Sequence, residues 1–122
     1  LNNLKPDLGE LSRLSSKINC NGYFVFTFDS DTTDVLVYGR MFAPAIGINE
    51  DPVTGNANGP LGGYLVKNGI VHPKGDSYSF KARQGETINR LGSMEVNVGL
   101  KNGEPDVIRI KGNAVVAFKT EI

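Results

Sequence analysis

Residues 40–65 read R-M-F-A-P-A-I-G-I-N-E-D-P-V-T-G-N-A-N-G-P-L-G-G-Y-L. The β-branched and aromatic run Val35–Phe42 is strand-like and delivers the chain to this stretch. An extended loop follows, with Glu50 and Asp51 side by side. Pro52 biases Asp51 away from helical geometry. Thr54, Gly55 and Asn56 then open a helix expected over Gly55 to Asn68, ending in a basic last turn and a Gly stop. Gly55, Gly59, Gly62 and Gly63 run along that helix. Each lowers helix propensity by about 1 kcal/mol, so tight packing explains them better. A helix enclosed by close-lying strands satisfies that condition.

Outward from this stretch the period of the pattern changes. Leu4, Leu8, Leu11 and Leu14 recur at helical spacing, so a helix is expected over Lys5–Lys17, stopped at Asn19–Gly22. Tyr23–Phe28 reads as a strand, and the short polar turn Asp29–Asp34 makes the next strand antiparallel to it. Ser77–Arg83, Ser93–Leu100, Val107–Lys111 and Ala114–Thr120 are further expected strands. Lys101-Asn102-Gly103 and Gly112-Asn113 are turn signals. Together these predict an α+β domain with a mostly antiparallel, barrel-like sheet wrapped around a central helix.

Composition bounds the function. The chain has 122 residues, one domain by length, and 13 basic against 13 acidic residues. A neutral chain argues against a nucleic-acid partner, which normally meets a basic face. No run approaches the roughly 18 apolar residues of a membrane helix. The single Cys20 excludes an internal disulfide, and the single His72 excludes a multi-His metal centre. No secretory signal is present, so a cytoplasmic setting is expected. The start at Leu1 rather than Met raises the expectation of tag removal, processing, or a piece of a longer protein.

The chemistry is expected around Asp51. A helix N-terminus offers unpaired N–H groups and partial positive charge, which suits a carboxylate or phosphate. Gly55 lets a ligand approach the backbone closely. An acidic side chain beside such an end suits proton transfer next to a bound carboxylate. The blander reading, an Asp51 that only satisfies backbone donors, stays open. Neither nucleotide-phosphate glycine motif is present. His72 reads as an extended surface turn, Cys20 as a bystander thiol, and Gln84, Gly85 and Arg90 as a strand-end turn.

The segment F-A-P-x-x-G-I-x-E-D-P-V-T-G-x-A, Phe42 to Ala57, closely resembles the signature of the PhzF-like (phenazine biosynthesis F-type) isomerases, whose wider group includes diaminopimelate epimerase and proline racemase relatives. L-x-x-L-K-P-D-L at the start, G-Y-F-V-F-T from Gly22, Gln84-Gly85 with Arg90, and V-I-R-I-K-G-N-A-V-V from Val107 follow in the family's order. The resemblance implies a protein of two similar halves, each a barrel-like sheet around a helix, with the active site between them. Residues 1–122 look like the C-terminal half. The family's catalytic Glu and its site His belong to the absent N-terminal half.

By the same resemblance, Asp51 is the catalytic residue present, orienting substrate and assisting proton transfer. Gly55 and Asn56, with Thr54 and Glu50, are the substrate-binding residues. Relatives often carry Ser where Asn56 stands, which bears on substrate identity. The implied activity is isomerisation of a small carboxylate-bearing metabolite, with no cofactor and no metal. The implied partners are that substrate, the missing N-terminal half and a second copy of the chain in a homodimer. Two alternatives stand beside this: a catalytically inactive half-domain acting as an interaction or dimerisation module, and an amino-acid racemase or epimerase. The Cys base of the racemases has no counterpart near Asp51, which disfavours the latter.

Overall fold

A computed structural model describes residues 1–121. The first helix, α1, spans Leu8–Ile18 and starts later than the leucine spacing alone suggests, because Asp7 serves as its N-cap. The Asp7 carboxylate accepts from the Glu10 amide at 2.9 Å, satisfying one of the free donors of the first turn. Asn19 ends the helix in the left-handed conformation. Strands β1 (Tyr23–Thr27) and β2 (Val37–Ala43) follow as an antiparallel pair, as expected.

The glycine-rich stretch is more ordered than a loop. A short 3-10 turn spans Pro44–Ile46, and β3 (Ile48–Asp51) runs back antiparallel along β2. Glu50 and Asp51 therefore sit on a strand. Helix α2 spans Gly55–Lys67, starting where the sequence placed it. Strands β4 (Ser77–Gln84), β5 (Gly92–Lys101) and β6 (Glu104–Lys111) follow, with a 3-10 turn at Glu86–Ile88 between β4 and β5.

Among the described residues the sheet has six strands in the order β1-β2-β4-β5-β6, with β3 beside β2. Pairing is antiparallel throughout except between β2 and β4. The α+β class and the mostly antiparallel sheet agree with expectation. The sheet is open rather than closed, ending at β1 and β6. The β5–β6 hairpin turns at Asn102 and Gly103, both at positive φ (54° and 81°), the backbone that an Asn-Gly turn demands.

The strand expected over Ala114–Thr120 does not form. Residues 112–121 carry no regular structure, and Val115, Val116 and Phe118 are largely exposed. Gly112-Asn113 makes no hairpin, so the outer edge of β6 has no partner strand among the described residues.

Two layers make the core. Phe80 and Ala82 on β4, and Met94, Val96 and Val98 on β5, alternate inward and meet Leu61, Leu65 and Val66 of α2. Burying each such aliphatic side chain stabilises the fold by about 1.5–3 kcal/mol. Proximity explains two of the four helical glycines, Gly62 and Gly63; at Gly55 and Gly59 the nearest side chains lie at ordinary contact distances of 3.8 and 3.5 Å. A Cβ at Gly62 would stand 2.7 Å from Val96 Cγ1 and 2.9 Å from Val98 Cγ2. Gly63 faces Ile108 of β6 in the same way, at 3.0 Å.

Candidate functional site

The register of the sheet creates the site. β2 pairs with β4 through Val37–Gly39, then with β3 through Met41 and Ala43. β3 and β4 run in opposite directions and so meet at their C-terminal ends beside β2. Asp51 ends β3, Gln84 ends β4, and Thr54 opens α2 between them.

Four polar side chains interlock there. Thr54 Oγ1 donates to Asp51 Oδ2. Gln84 Nε2 donates to the Asp51 carbonyl at 2.6 Å and to Thr54 Oγ1 at 2.8 Å. Gln84 Oε1 accepts from the Thr54 amide at 3.3 Å and from Asn58 Nδ2 at 3.1 Å. Asn58 Nδ2 also donates to the Thr54 carbonyl at 3.0 Å. Gln84 is 2% exposed and Asn58 is fully buried, so desolvation makes these pairings energetically necessary.

Thr54 therefore does not cap α2 in the ordinary way. Its hydroxyl accepts no bond from the first helical turn. The Ala57 and Asn58 amides bond to the Thr54 carbonyl, at 3.3 and 3.1 Å. The Gly55 and Asn56 amides have no partner among the described residues. Asn56 is exposed, and Asp51 and Gly55 are half-buried. A carboxylate of a ligand at this end would find free N–H donors, the helix dipole and an adjacent Asp.

Glu50 occupies a different position from its neighbour. Arg40 Nε and Nη2 donate to its two carboxylate oxygens at 3.0 and 2.9 Å, and Thr87 donates to Oε1 at 2.8 Å. Hydrogen bonding from the Arg40 guanidinium is the main cause that holds the Glu50 carboxyl below its ordinary value. With both oxygens engaged, Glu50 anchors β3 to β2. Its proximity in sequence to Asp51 does not translate into a shared face.

The other singled-out residues lie elsewhere. His72 is exposed in the α2–β4 connection, and the Cys20 thiol contacts Ser15 beside α1. Gly85 and Arg90 form the expected strand-end turn, closed by the Arg90 amide on the Gly85 carbonyl at 2.9 Å. Gly85 has φ 87°, and a side chain there would strike the Arg90 carbonyl and lie 2.8 Å from the Pro52 carbonyl. Asn58 is the residue that motif reading missed, and Gln84, read as part of a strand-end turn, makes contacts in the site that the turn reading did not give it. A signal for Gln84 existed: it continues the inward phase of Phe80 and Ala82, so a polar side chain was pointed into the core.

The family model described as phenazine biosynthesis-like protein (PhzC-PhzF) matches residues 1–120. An uncharacterized isomerase of Clostridium acetobutylicum is 56% identical over 122 residues, covering 100% of this chain and 40% of that protein. The uncharacterized isomerase YddE of Escherichia coli K12 is 45% identical over 120 residues, 97% of this chain and 39% of that protein. The chain thus spans about two fifths of the length of these relatives. Among solved structures, a PhzF-family phenazine biosynthesis protein of Bacillus anthracis superposes with a TM-score of 0.70 at 24% identity, covering 89% of this chain and 36% of that one. This last likeness speaks for the fold. No helix among the described residues is long and apolar enough to cross a membrane.

Proposed function

The chain belongs to the phenazine biosynthesis-like (PhzC-PhzF) family, and on that footing we propose that it is the C-terminal half of an isomerase moving a proton on a small carboxylate-bearing metabolite. In this scheme residues 1–122 form one domain. The free N–H groups of Gly55 and Asn56, with Thr54 at the helix start, bind the substrate carboxylate. Asp51 stands beside that carboxylate, orients the substrate and assists proton transfer. An N-terminal half supplies the Glu that moves the proton. Glu50 contributes indirectly, holding β3 through Arg40. The step uses no metal or cofactor, and a cytoplasmic setting suits the single free thiol of Cys20.

One observation carries this reading. The Thr54 hydroxyl is turned toward Asp51 instead of capping α2, so an acidic side chain and two unpaired amides face the same helix end. The relatives' names as isomerases and their greater length support it. The test joins this chain to the N-terminal half of such a relative and follows solvent deuterium entering a panel of small carboxylates. Activity is expected from the joined halves and not from this chain alone. Activity of the lone chain would overturn the two-half reading. Exchange confined to the α-carbon of amino acids would instead make the protein a racemase or epimerase.

A second reading, an inactive half that docks a partner or a second copy, draws on one feature. Ile46, Ile48 and Val53 flank Asp51 and are 56%, 40% and 42% exposed. Apolar side chains so placed suit a covering surface. Tight binding of the N-terminal half with no exchange on any carboxylate would favour this reading.

A further inference from the structure

We infer that Gln84 is a positioning residue that holds the Thr54 hydroxyl on Asp51 Oδ2, away from the helix amides, and thereby leaves one oxygen of Asp51 for the ligand. This inference rests on the proposed role of Asp51. Its basis is the donor and acceptor count around the Gln84 amide. The Asp51 carbonyl can only accept, so Nε2 must face it. The Thr54 amide can only donate, so Oε1 must face it. Backbone groups thus lock both ends of the Gln84 side chain in one orientation.

That orientation reaches the hydroxyl of Thr54. The second Nε2 proton of Gln84 donates into Thr54 Oγ1 at 2.8 Å. Oγ1 is therefore an acceptor from Gln84, and its own single proton is directed to Asp51 Oδ2. Asn58 reinforces the arrangement by donating to Gln84 Oε1, which can then accept nothing further from the site. The chain of bonds runs one way, from Gln84 to Thr54 to Asp51. Successive bonds in a desolvated row polarise one another in the same sense.

Two consequences follow at Asp51. Oδ2 is occupied, while Oδ1 accepts no bond from the described residues. The carboxylate is held by one oxygen and offers the other. Without Gln84, the Thr54 hydroxyl would be free to rotate and to accept from the Asn56 or Ala57 amide, the usual partners of an N-cap Thr. It would then compete with the ligand for the same donors.

The test uses the labelled 122-residue chain in solution NMR and needs no substrate. In an equal mixture of H2O and D2O, a slowly exchanging Thr54 hydroxyl should split the Asp51 Cγ signal into two isotope-shifted lines. In Gln84→Glu, where the side chain cannot donate, the hydroxyl should turn to the introduced carboxylate and the Asp51 signal should become single. If that variant does not fold, Gln84→Met keeps the bulk and removes the donor. There the Thr54 hydroxyl should exchange about tenfold faster, the equivalent of one lost hydrogen bond. A single Asp51 line in the parent chain, or unchanged splitting in a folded variant, would overturn the inference.

In the joined two-half protein, Gln84→Met should lower kcat and also raise KM, because the freed Thr54 hydroxyl competes with the substrate carboxylate for the Asn56 amide. Absence of isomerase activity from the joined halves would refute the proposed function while leaving the NMR result to stand or fall separately.

Discussion

Arg40 and Glu50 form a bidentate ion pair across β2 and β3, with each side chain only 9% exposed. The same guanidinium donates through Nη1 to the carbonyls of Leu1 and Leu4, at 3.2 and 2.8 Å, and lies 4.9 Å from the centre of the Phe42 ring. One side chain thus ties the first residues of the chain to the strand that carries Asp51. A planar fork of donors is needed for this, which Lys could not supply.

Removing one partner leaves a buried charge unpaired. Arg40 keeps the Leu1 and Leu4 carbonyls as acceptors, so Glu50→Ala should cost about 1.5–3 kcal/mol in urea denaturation of this chain, the worth of hydrogen bonds to a charged group. Replacing both partners, Arg40→Met with Glu50→Leu, should recover a large part of that loss. A Glu50→Ala cost within about 1 kcal/mol would mean the pair behaves as an exposed one.

Acid should weaken the fold through Glu50. Its carboxyl is held below the ordinary glutamate value of 4.5, chiefly by hydrogen bonding from Arg40. A depressed acid contributes stability above its unfolded pKa and loses it as pH falls through the folded one. Stability should therefore decline below about pH 4.5, with a shallower decline in Glu50→Gln. Denaturation midpoints followed from neutral pH down through the carboxylate range would show it; equal pH slopes in both proteins would exclude Glu50 as the cause.

The contact between α2 and β5 leaves no room for a methyl group. Gly62→Ala should destabilise by about 1–3 kcal/mol through overpacking against Val96 and Val98, despite the better helix propensity of Ala. Gly75→Ala meets open space and should change stability little. Thermal midpoints of the two variants measure the contrast, and equal midpoints would refute the packing argument.

In the joined two-half protein, Asp51→Ala should reduce solvent deuterium incorporation by about 10²–10⁴-fold, the usual worth of a positioned acid or base. Asn56→Ser should retain activity and alter the preference among carboxylates, since its backbone N–H is the proposed ligand. Full activity in Asp51→Ala would remove Asp51 from the chemistry.

Legibility in the sequence followed the range of the interaction. The helix start at Thr54-Gly55, the Asn102-Gly103 hairpin and the alternation of Phe80, Ala82, Met94, Val96 and Val98 are readable, because each depends on neighbours a few positions away. β3 carries no strand signal of its own, since Asn49, Glu50 and Asp51 are poor strand formers and only pairing with β2 makes them extended. The Ala114–Thr120 segment misleads the other way: despite its high strand propensity it forms no strand and leaves the edge of β6 unpaired.

By itself the sequence determined the α+β class, the family, and the stretch in which the chemistry is proposed to lie. It did so through periodicity and a motif running without a break from Phe42 to Ala57. Tertiary structure alone decided that Glu50 faces Arg40, that Asp51 faces Thr54, and that Gln84 holds the latter pair. Gln84 lies 33 positions from Asp51, and the two meet because β2 changes partner from β4 to β3. Side-chain facing on adjacent strand residues reverses at every step, so one residue of register separates a buried anchor from the acid beside the helix start.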